Sequence, residues 1–182
     1  MSSSDHSRSG GGRKAGRLIL LATLAATALA ACTVQPLYAP TAAGTAAVAS
    51  LNEIYIEPVS DRIGQELRNQ LIFKLNGGRG QPANARYRMK LVVSSSENAL
   101  GVTPIDAAPA YSITVAATYE VRSVADDKIV YRSTTRQSAS YDRVNQAFAN
   151  ERAKLDAENR AAVQAATDIR IRLAAAAANG II

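Results

Sequence analysis

Residues 111–121 alternate between apolar and polar side chains, with Ala116 as the one exception, which is the spacing of a β-strand with one buried face. A turn at 125–127 separates them from a second, strand-like segment, residues 129–140. Because side chains alternate between the two faces of a sheet, these segments predict a long antiparallel hairpin with one apolar and one polar face. The apolar face of such a hairpin needs a covering layer, and this requirement most constrains the fold.

The sequence before the hairpin predicts two further strands and a helix. Strands are expected at 51–57 and 86–93 from their alternation. Between them, apolar residues recur every four positions along a helix that begins at Ser60 or Asp61 and stops at 76–78, where an asparagine and two glycines follow one another.

The remaining segments complete the predicted domain. The second strand is expected to end at the serines 94–96 and to be followed by a surface loop over 97–110. The last helix is expected at 148–178, with Phe148 on its apolar side and Glu158 on its polar side. The order β-α-β-β-β-α predicts an α+β two-layer sandwich, in which two helices cover a four-stranded, mostly antiparallel sheet.

Residues 1–31 have the composition of a secretory leader of the lipoprotein type. A basic segment precedes the apolar run 18–28, which has about the length of a signal-peptide core and is too short to cross a bilayer comfortably. The sequence LAAC at 29–32 resembles the lipobox of bacterial lipoproteins, and its Cys32 is the only cysteine of the chain. We therefore expect cleavage before Cys32 and acylation of its thiol; a plain secretory leader that leaves a free thiol is the alternative.

The segment after the leader is expected to contain a tether and one domain. Residues 32–50 are rich in alanine and threonine and contain two prolines, which is typical of an extended tether. Residues 51–182 have the length of a single domain. Acyl chains on Cys32 would hold this domain at a membrane surface, because each buried methylene contributes about 0.8 kcal/mol.

Composition argues against an enzyme. The only histidine, His6, lies in the leader, so the mature chain has no Ser-His-Asp triad, Cys-His pair or zinc site that uses histidine. Acidic residues such as Asp61 and Asp126 lie at a helix start and in a turn, where capping and turn formation explain them. A hydrolase with two converging carboxylates is therefore the least favoured interpretation, and we expect no catalytic residue, metal or cofactor.

The charge balance does not point to nucleic acid. The leader carries four of the 21 basic residues and one of the 15 acidic residues, so the rest of the chain is only mildly basic. We therefore expect no nucleic-acid partner.

Two short motifs, with the order of the elements, narrow the possible families. The sequence CTVQPLY occupies 32–38, and IGQELRN occupies 63–69 in the predicted first helix. In these features the chain resembles the LPS-assembly lipoprotein family LptE, particularly its alphaproteobacterial members. The resemblance implies a non-enzymatic lipoprotein on the periplasmic side of the outer membrane, which partners the β-barrel LptD, binds lipopolysaccharide and helps to deliver it to the outer leaflet.

The polar side of the predicted sheet offers candidate ligands for lipopolysaccharide. Lipid A carries phosphates, which arginine binds as a bidentate fork and lysine as a point charge. In the predicted register, six basic residues project from the face opposite the core: Arg86, Arg88, Lys90, Arg122, Arg132 and Arg136. The loop at 97–110 is a second candidate contact. Alternatively, these charges only solvate the sheet and discourage edge pairing.

Two other classes of lipoprotein remain open from the residues alone. One is the auxiliary lipoprotein of a lipid-transport ABC system, and the other is a lipoprotein activator of a cell-wall synthase, since small anchored α+β domains occur in both. Thr33, rather than aspartate, follows Cys32, which resembles lipoproteins destined for the outer membrane.

Overall fold

Two long helices cover one face of a four-stranded sheet in the computed structural model of the chain, which describes residues 48–101 and 110–182. The elements are β1 (Ile54–Ile56), α1 (Arg62–Asn76), β2 (Tyr87–Leu100), β3 (Ala110–Ser123), β4 (Ile129–Asp142) and α2 (Ala147–Ala178). The strands lie in the order β1-β2-β3-β4, and β1 runs parallel to β2 while the other pairs are antiparallel. The predicted α+β fold and element order are confirmed. The leader, Cys32 and residues 33–47 lie outside the described residues.

Helix α1 begins and ends where its sequence predicts. Asp61 is the N-cap, and its Oδ1 accepts a hydrogen bond of 2.7 Å from the amide of Gly64. Gly77 ends the helix at a φ of 58°, in the left-handed region that glycine adopts without strain. The face that packs into the core consists of leucines four residues apart: Leu67, Leu71 and Leu75.

The alternation along β3 organises the core. From Ile113 onward its inward residues are all buried: Ile113, Val115, Ala117, Tyr119 and Val121. β3 pairs with β2 along its whole length and with β4 from Asp142 to Ile129, with one register irregularity at Val121/Arg122. The predicted hairpin is therefore present, and its strands are slightly longer than the sequence pattern indicates.

Helix α2 packs through small side chains. Alanines dominate its buried face: Ala157, Ala161, Ala162, Ala165, Ala166, Ala174 and Ala176. Phe148 was expected on this face but is 79% exposed, because burial along the helix begins only at Ala157. Glu158 was expected on the polar side but is buried, where it forms an ion pair with Arg62 at the start of α1.

The structure also corrects the predicted bounds of two strands. β1 spans three residues, because the chain at 48–51 forms a helical turn that places Leu51 in the core. β2 does not end at the serines 94–96 but continues to Leu100, since the backbone there pairs with β3 as far as Ala110. The predicted loop over 97–110 is therefore wrong for its first residues. Serine backbone groups join a sheet as others do, and their short side chains face water at little cost.

None of the helices in the described part of the chain has both the length and the apolar character that a membrane span requires.

Candidate functional site: the outer face of the sheet

The face of the sheet opposite the helices, here called the outer face, is a flat polar surface. Its residues form rows across β2, β3 and β4, because side chains paired in register project from the same side. At the end where β2 begins, one row holds Arg88 and Arg122, preceded on β1 by Tyr55. The next row is Lys90, Glu120 and Arg132.

Five of the six predicted basic residues lie on this outer face. They are Arg88, Lys90, Arg122, Arg132 and Arg136, and each is exposed or half-buried. Arg86 is separate from them, since it precedes β2 and forms an exposed ion pair with Glu53, with 3.3 Å between Nη1 and Oε2. The sheet thus brings together five cations that are up to 48 positions apart in sequence.

The five cations differ in whether a carboxylate neutralises them. Glu120 pairs with Arg132 at 2.7 Å and with Arg122 at 3.7 Å, and Arg122 also lies 3.8 Å from a carboxylate oxygen of Asp127. Within residues 48–101 and 110–182, no carboxylate is within ion-pair distance of Arg88, Lys90 or Arg136. The outer face therefore carries an excess of positive charge that is available to an anionic ligand.

Hydroxyl groups predominate in the half of the outer face beyond Lys90 and Arg132, where Arg136 lies between two rows of hydroxyls. Thr118 and Thr134 form a cross-strand hydrogen bond of 3.0 Å, and Thr114 and Ser138 form one of 2.8 Å. Val92, in the row of Thr118 and Thr134, is 62% exposed. The outer face can therefore bind phosphate through its cations, and the hydroxyl-rich half can also bind sugar hydroxyls around Arg136.

The far end of the sheet is held by a polar cluster that the sequence analysis did not find. Glu97 accepts hydrogen bonds from the Tyr141 hydroxyl and, at 2.6 Å, from Lys154 Nζ, so β2, β4 and α2 are joined at one carboxylate. The hydrogen bonds from Lys154 and Tyr141 lower the pKa of Glu97. Burial and the bond to Glu97 raise the pKa of Tyr141 to about 12.

The sequence pattern predicts a loop at Glu97 and therefore does not predict this cluster. The sequence does contain a signal for it, since Glu97 continues the inward positions of Val93 and Ser95. Together the cluster and the β3 pairing keep the end of β2 in the sheet and so lengthen the outer face.

Residues 102–109, most of the segment predicted as a second contact, lie outside the described residues. Among the residues that are described, no group of three or more His, Cys, Asp or Glu side chains is placed to hold a metal ion.

Known structures share this fold. A candidate lipoprotein from Caulobacter crescentus CB15 superimposes with a TM-score of 0.62 at 24% identity, covering 74% of this chain and 97% of its own. The minor lipoprotein from Acinetobacter baumannii superimposes with a TM-score of 0.53 at 17% identity, covering 69% and 94%. No curated protein sequence matches the chain significantly.

The sequence itself identifies the family. The profile of LptE, described as lipopolysaccharide-assembly, matches residues 51–173, which is more than half of the chain and spans β1 to the last turns of α2. The match covers the strands of the outer face, all of α1 and most of α2. The chain therefore belongs to the LptE family of lipopolysaccharide-assembly proteins.

Proposed function

We propose that this protein is an outer-membrane lipoprotein that partners the LptD β-barrel and binds lipopolysaccharide during its transport to the outer leaflet. Membership of the LptE family supports a role in lipopolysaccharide assembly. The observation that carries the binding step is the outer face, where Arg88, Lys90 and Arg136 have no carboxylate partner in the described structure.

The chemistry of the outer face suits a phosphorylated glycolipid. Guanidinium groups bind phosphate with two parallel hydrogen bonds, which gives geometric specificity as well as charge attraction. Hydroxyls such as Thr118 and Thr134 can exchange their cross-strand hydrogen bond for bonds to sugar hydroxyls. Binding and hand-over, rather than bond cleavage, is the role that we assign to this protein.

The membrane anchor is the second part of the proposal. Acylation of Cys32 would hold the domain at the periplasmic side of the outer membrane, where a β-barrel partner is available. Two or three acyl chains anchor a protein stably, whereas one chain does so only marginally.

The test of lipopolysaccharide binding uses the three unpaired cations. We expect the triple variant Arg88→Glu, Lys90→Glu, Arg136→Glu to bind lipopolysaccharide at least about tenfold more weakly. Several charge-assisted hydrogen bonds are lost, and a loss of about 1.4 kcal/mol in binding free energy already corresponds to a factor of ten. Arg132 is left intact because it pairs with Glu120, so its reversal would also disturb the sheet. Unchanged affinity in a triple variant that melts like the wild type would refute the binding site.

The matched control reverses three exposed cations that lie outside the outer face: Arg79, Lys128 and Arg152. Lys128 forms an ion pair of 3.4 Å with Asp126, but both side chains are exposed, so the loss of this pair should cost little stability. Their replacement by glutamate changes the net charge equally, so a similar loss of affinity would show a general charge effect rather than a site.

The partner and the anchor need a separate experiment. Purification of the native protein from membranes, with mass spectrometry of its N-terminal peptide and of its partners, is expected to give an acylated Cys32 and an LptD-type barrel. Recovery of an ABC permease or a penicillin-binding protein instead would replace this proposal with one of the other two lipoprotein classes.

A further inference from the structure

A cavity lies where Arg86 separates from the outer face. It has a volume of about 760 Å³, and its walls are Tyr55, Arg86, Arg88, Val124 and the loop at 82–85. A smaller depression of about 290 Å³ adjoins it and shares Arg86 and Val124. Both open at the end of the sheet that carries the start of β2 and the turn between β3 and β4, here called the proximal end.

One arginine of this cavity, Arg88, lies opposite another arginine and has no carboxylate among the described residues that neutralises its charge. Arg88 lies directly opposite Arg122 in the register of β2 and β3, and like charges in such positions repel each other. Arg122 is neutralised by Glu120 and Asp127, but no carboxylate of the described residues pairs with Arg88. The arrangement therefore favours a bound anion at Arg88.

The other walls suit a small organic anion better than a bare ion. Tyr55 on β1 is the register partner of Arg88, and both residues line the cavity from neighbouring strands. Val124, which is 47% exposed, adds an apolar surface on the other side. The guanidinium of Arg86 is held at the rim by Glu53 and lies 5.6 Å from the centre of the Tyr87 ring. Two arginines between such walls can bind a phosphodiester that carries a short polar group.

The proximal end is also the end from which the chain leads back to the proposed anchor. β1 begins beside the start of β2, since Ile54 pairs with Tyr87, and the described chain begins six residues earlier at Val48. Val48 is 16 positions after Cys32, so the two cannot lie more than about 55 Å apart even in an extended chain. A bilayer that holds Cys32 is therefore within reach of the cavity.

We propose that this proximal cavity binds the phosphodiester headgroup of an anionic phospholipid in the membrane that holds the anchor. The inference rests on the proposed lipidation of Cys32 for its geometry. The cavity shares Arg88 with the proposed lipopolysaccharide site and adds Arg86 and Tyr55, which that site does not use. Binding of a headgroup here fixes the proximal end of the domain against the bilayer and leaves the hydroxyl-rich half of the outer face directed away from it.

The experiment measures hydrogen exchange of the amides of residues 83–85 in the full lipidated chain reconstituted into vesicles. We expect exchange to be at least about threefold slower in vesicles of phosphatidylglycerol and phosphatidylcholine than in vesicles of phosphatidylcholine alone. The double variant Arg86→Gln, Arg88→Gln should abolish this difference, and the control Lys90→Gln, Arg136→Gln should retain it. All four positions are exposed, so folding is expected to be unaffected.

Three results would overturn the assignment. The first is equal amide exchange in the two kinds of vesicle, and the second is a difference in exchange that persists in the Arg86 and Arg88 double variant. The third is the same protection by inorganic phosphate in phosphatidylcholine vesicles, which would indicate a site for a free anion. Lipopolysaccharide binding of both double variants is measured in parallel. Because Arg88 belongs to both proposed sites, the variant Lys90→Gln, Arg136→Gln is the one that separates them. Weaker lipopolysaccharide binding with the vesicle difference retained supports two sites, whereas unchanged lipopolysaccharide binding in this variant counts against the proposed function alone.

Discussion

Replacement of Arg62 by alanine tests how the two helices are joined. Arg62, in the first turn of α1, forms an ion pair with Glu158 of α2 and donates a hydrogen bond of 3.2 Å to Asn159. The two partners are unequally buried, since the side chain of Glu158 is 10% exposed and that of Arg62 is 49% exposed. Removal of the arginine leaves a buried carboxylate without a partner, whereas removal of the glutamate leaves a guanidinium that water can reach.

The burial of the two side chains sets the size of the expected loss of stability. Loss of one partner of a fully buried ion pair costs about 3–5 kcal/mol. Because water already reaches half of Arg62, we expect Arg62→Ala to lower the free energy of unfolding by about 2 kcal/mol. Glu158→Ala should cost about 0.5–1 kcal/mol, because the remaining arginine is rehydrated and alanine favours the helix. The double variant should be more stable than Arg62→Ala alone, since no unpaired charge stays buried.

Urea unfolding followed by far-ultraviolet circular dichroism measures these differences. The control is Asp156→Ala, which breaks an exposed pair with Arg160 in the same helix and should cost less than about 0.5 kcal/mol. Equal losses for Arg62→Ala and Glu158→Ala, or a double variant less stable than Arg62→Ala, would refute the argument from unequal burial.

Three further predictions concern single positions. Lys154 and Tyr141 lower the pKa of Glu97, so the bonds of its carboxylate stabilise the fold at pH values above 4.5, the ordinary pKa of a glutamate, and this stabilisation is lost as the pH falls below that value. Glu97→Gln should therefore flatten the acid side of a plot of unfolding free energy against pH. Gly64→Ala should lower the melting temperature despite the higher helix propensity of alanine, since the new Cβ would lie 2.5 Å from the Asp61 carboxylate that caps the helix; an unchanged melting temperature would contradict this. Gly77→Ala should cost about 1 kcal/mol in urea unfolding, from the left-handed backbone alone, because its Cβ would meet no atom within 4 Å; a loss above about 3 kcal/mol would show an additional clash.

The sequence was most informative where local signals agreed with long-range packing. The N-cap at Asp61, the leucines of α1 and the stop at Gly77 are all local features, and each lies where it was predicted. The outer face could likewise be predicted, because the alternation along β3 fixes which side chains point away from the core.

The misplaced features depend on contacts that a linear pattern does not contain. The continuation of β2 through the serines is set by its pairing with β3, and the role of Glu97 requires Lys154 and Tyr141 from two distant elements. The burial of Glu158 follows from the position of Arg62, 96 residues away. Arg86 lies two positions before Arg88, so the alternation predicts that both project from the outer face, yet the strand begins only after Arg86.

The shortness of β1 leaves the sheet with two long open edges. β1 pairs with only Tyr87–Met89 of β2, and among the described residues no strand continues along β2 or flanks β4. Unpaired amides and carbonyls along such edges are templates for another chain. Charged side chains on the two edge strands, such as Lys90, Arg132 and Arg136, oppose this pairing. Neutralising them would therefore promote self-association, so the same cations would oppose the pairing of one copy with another.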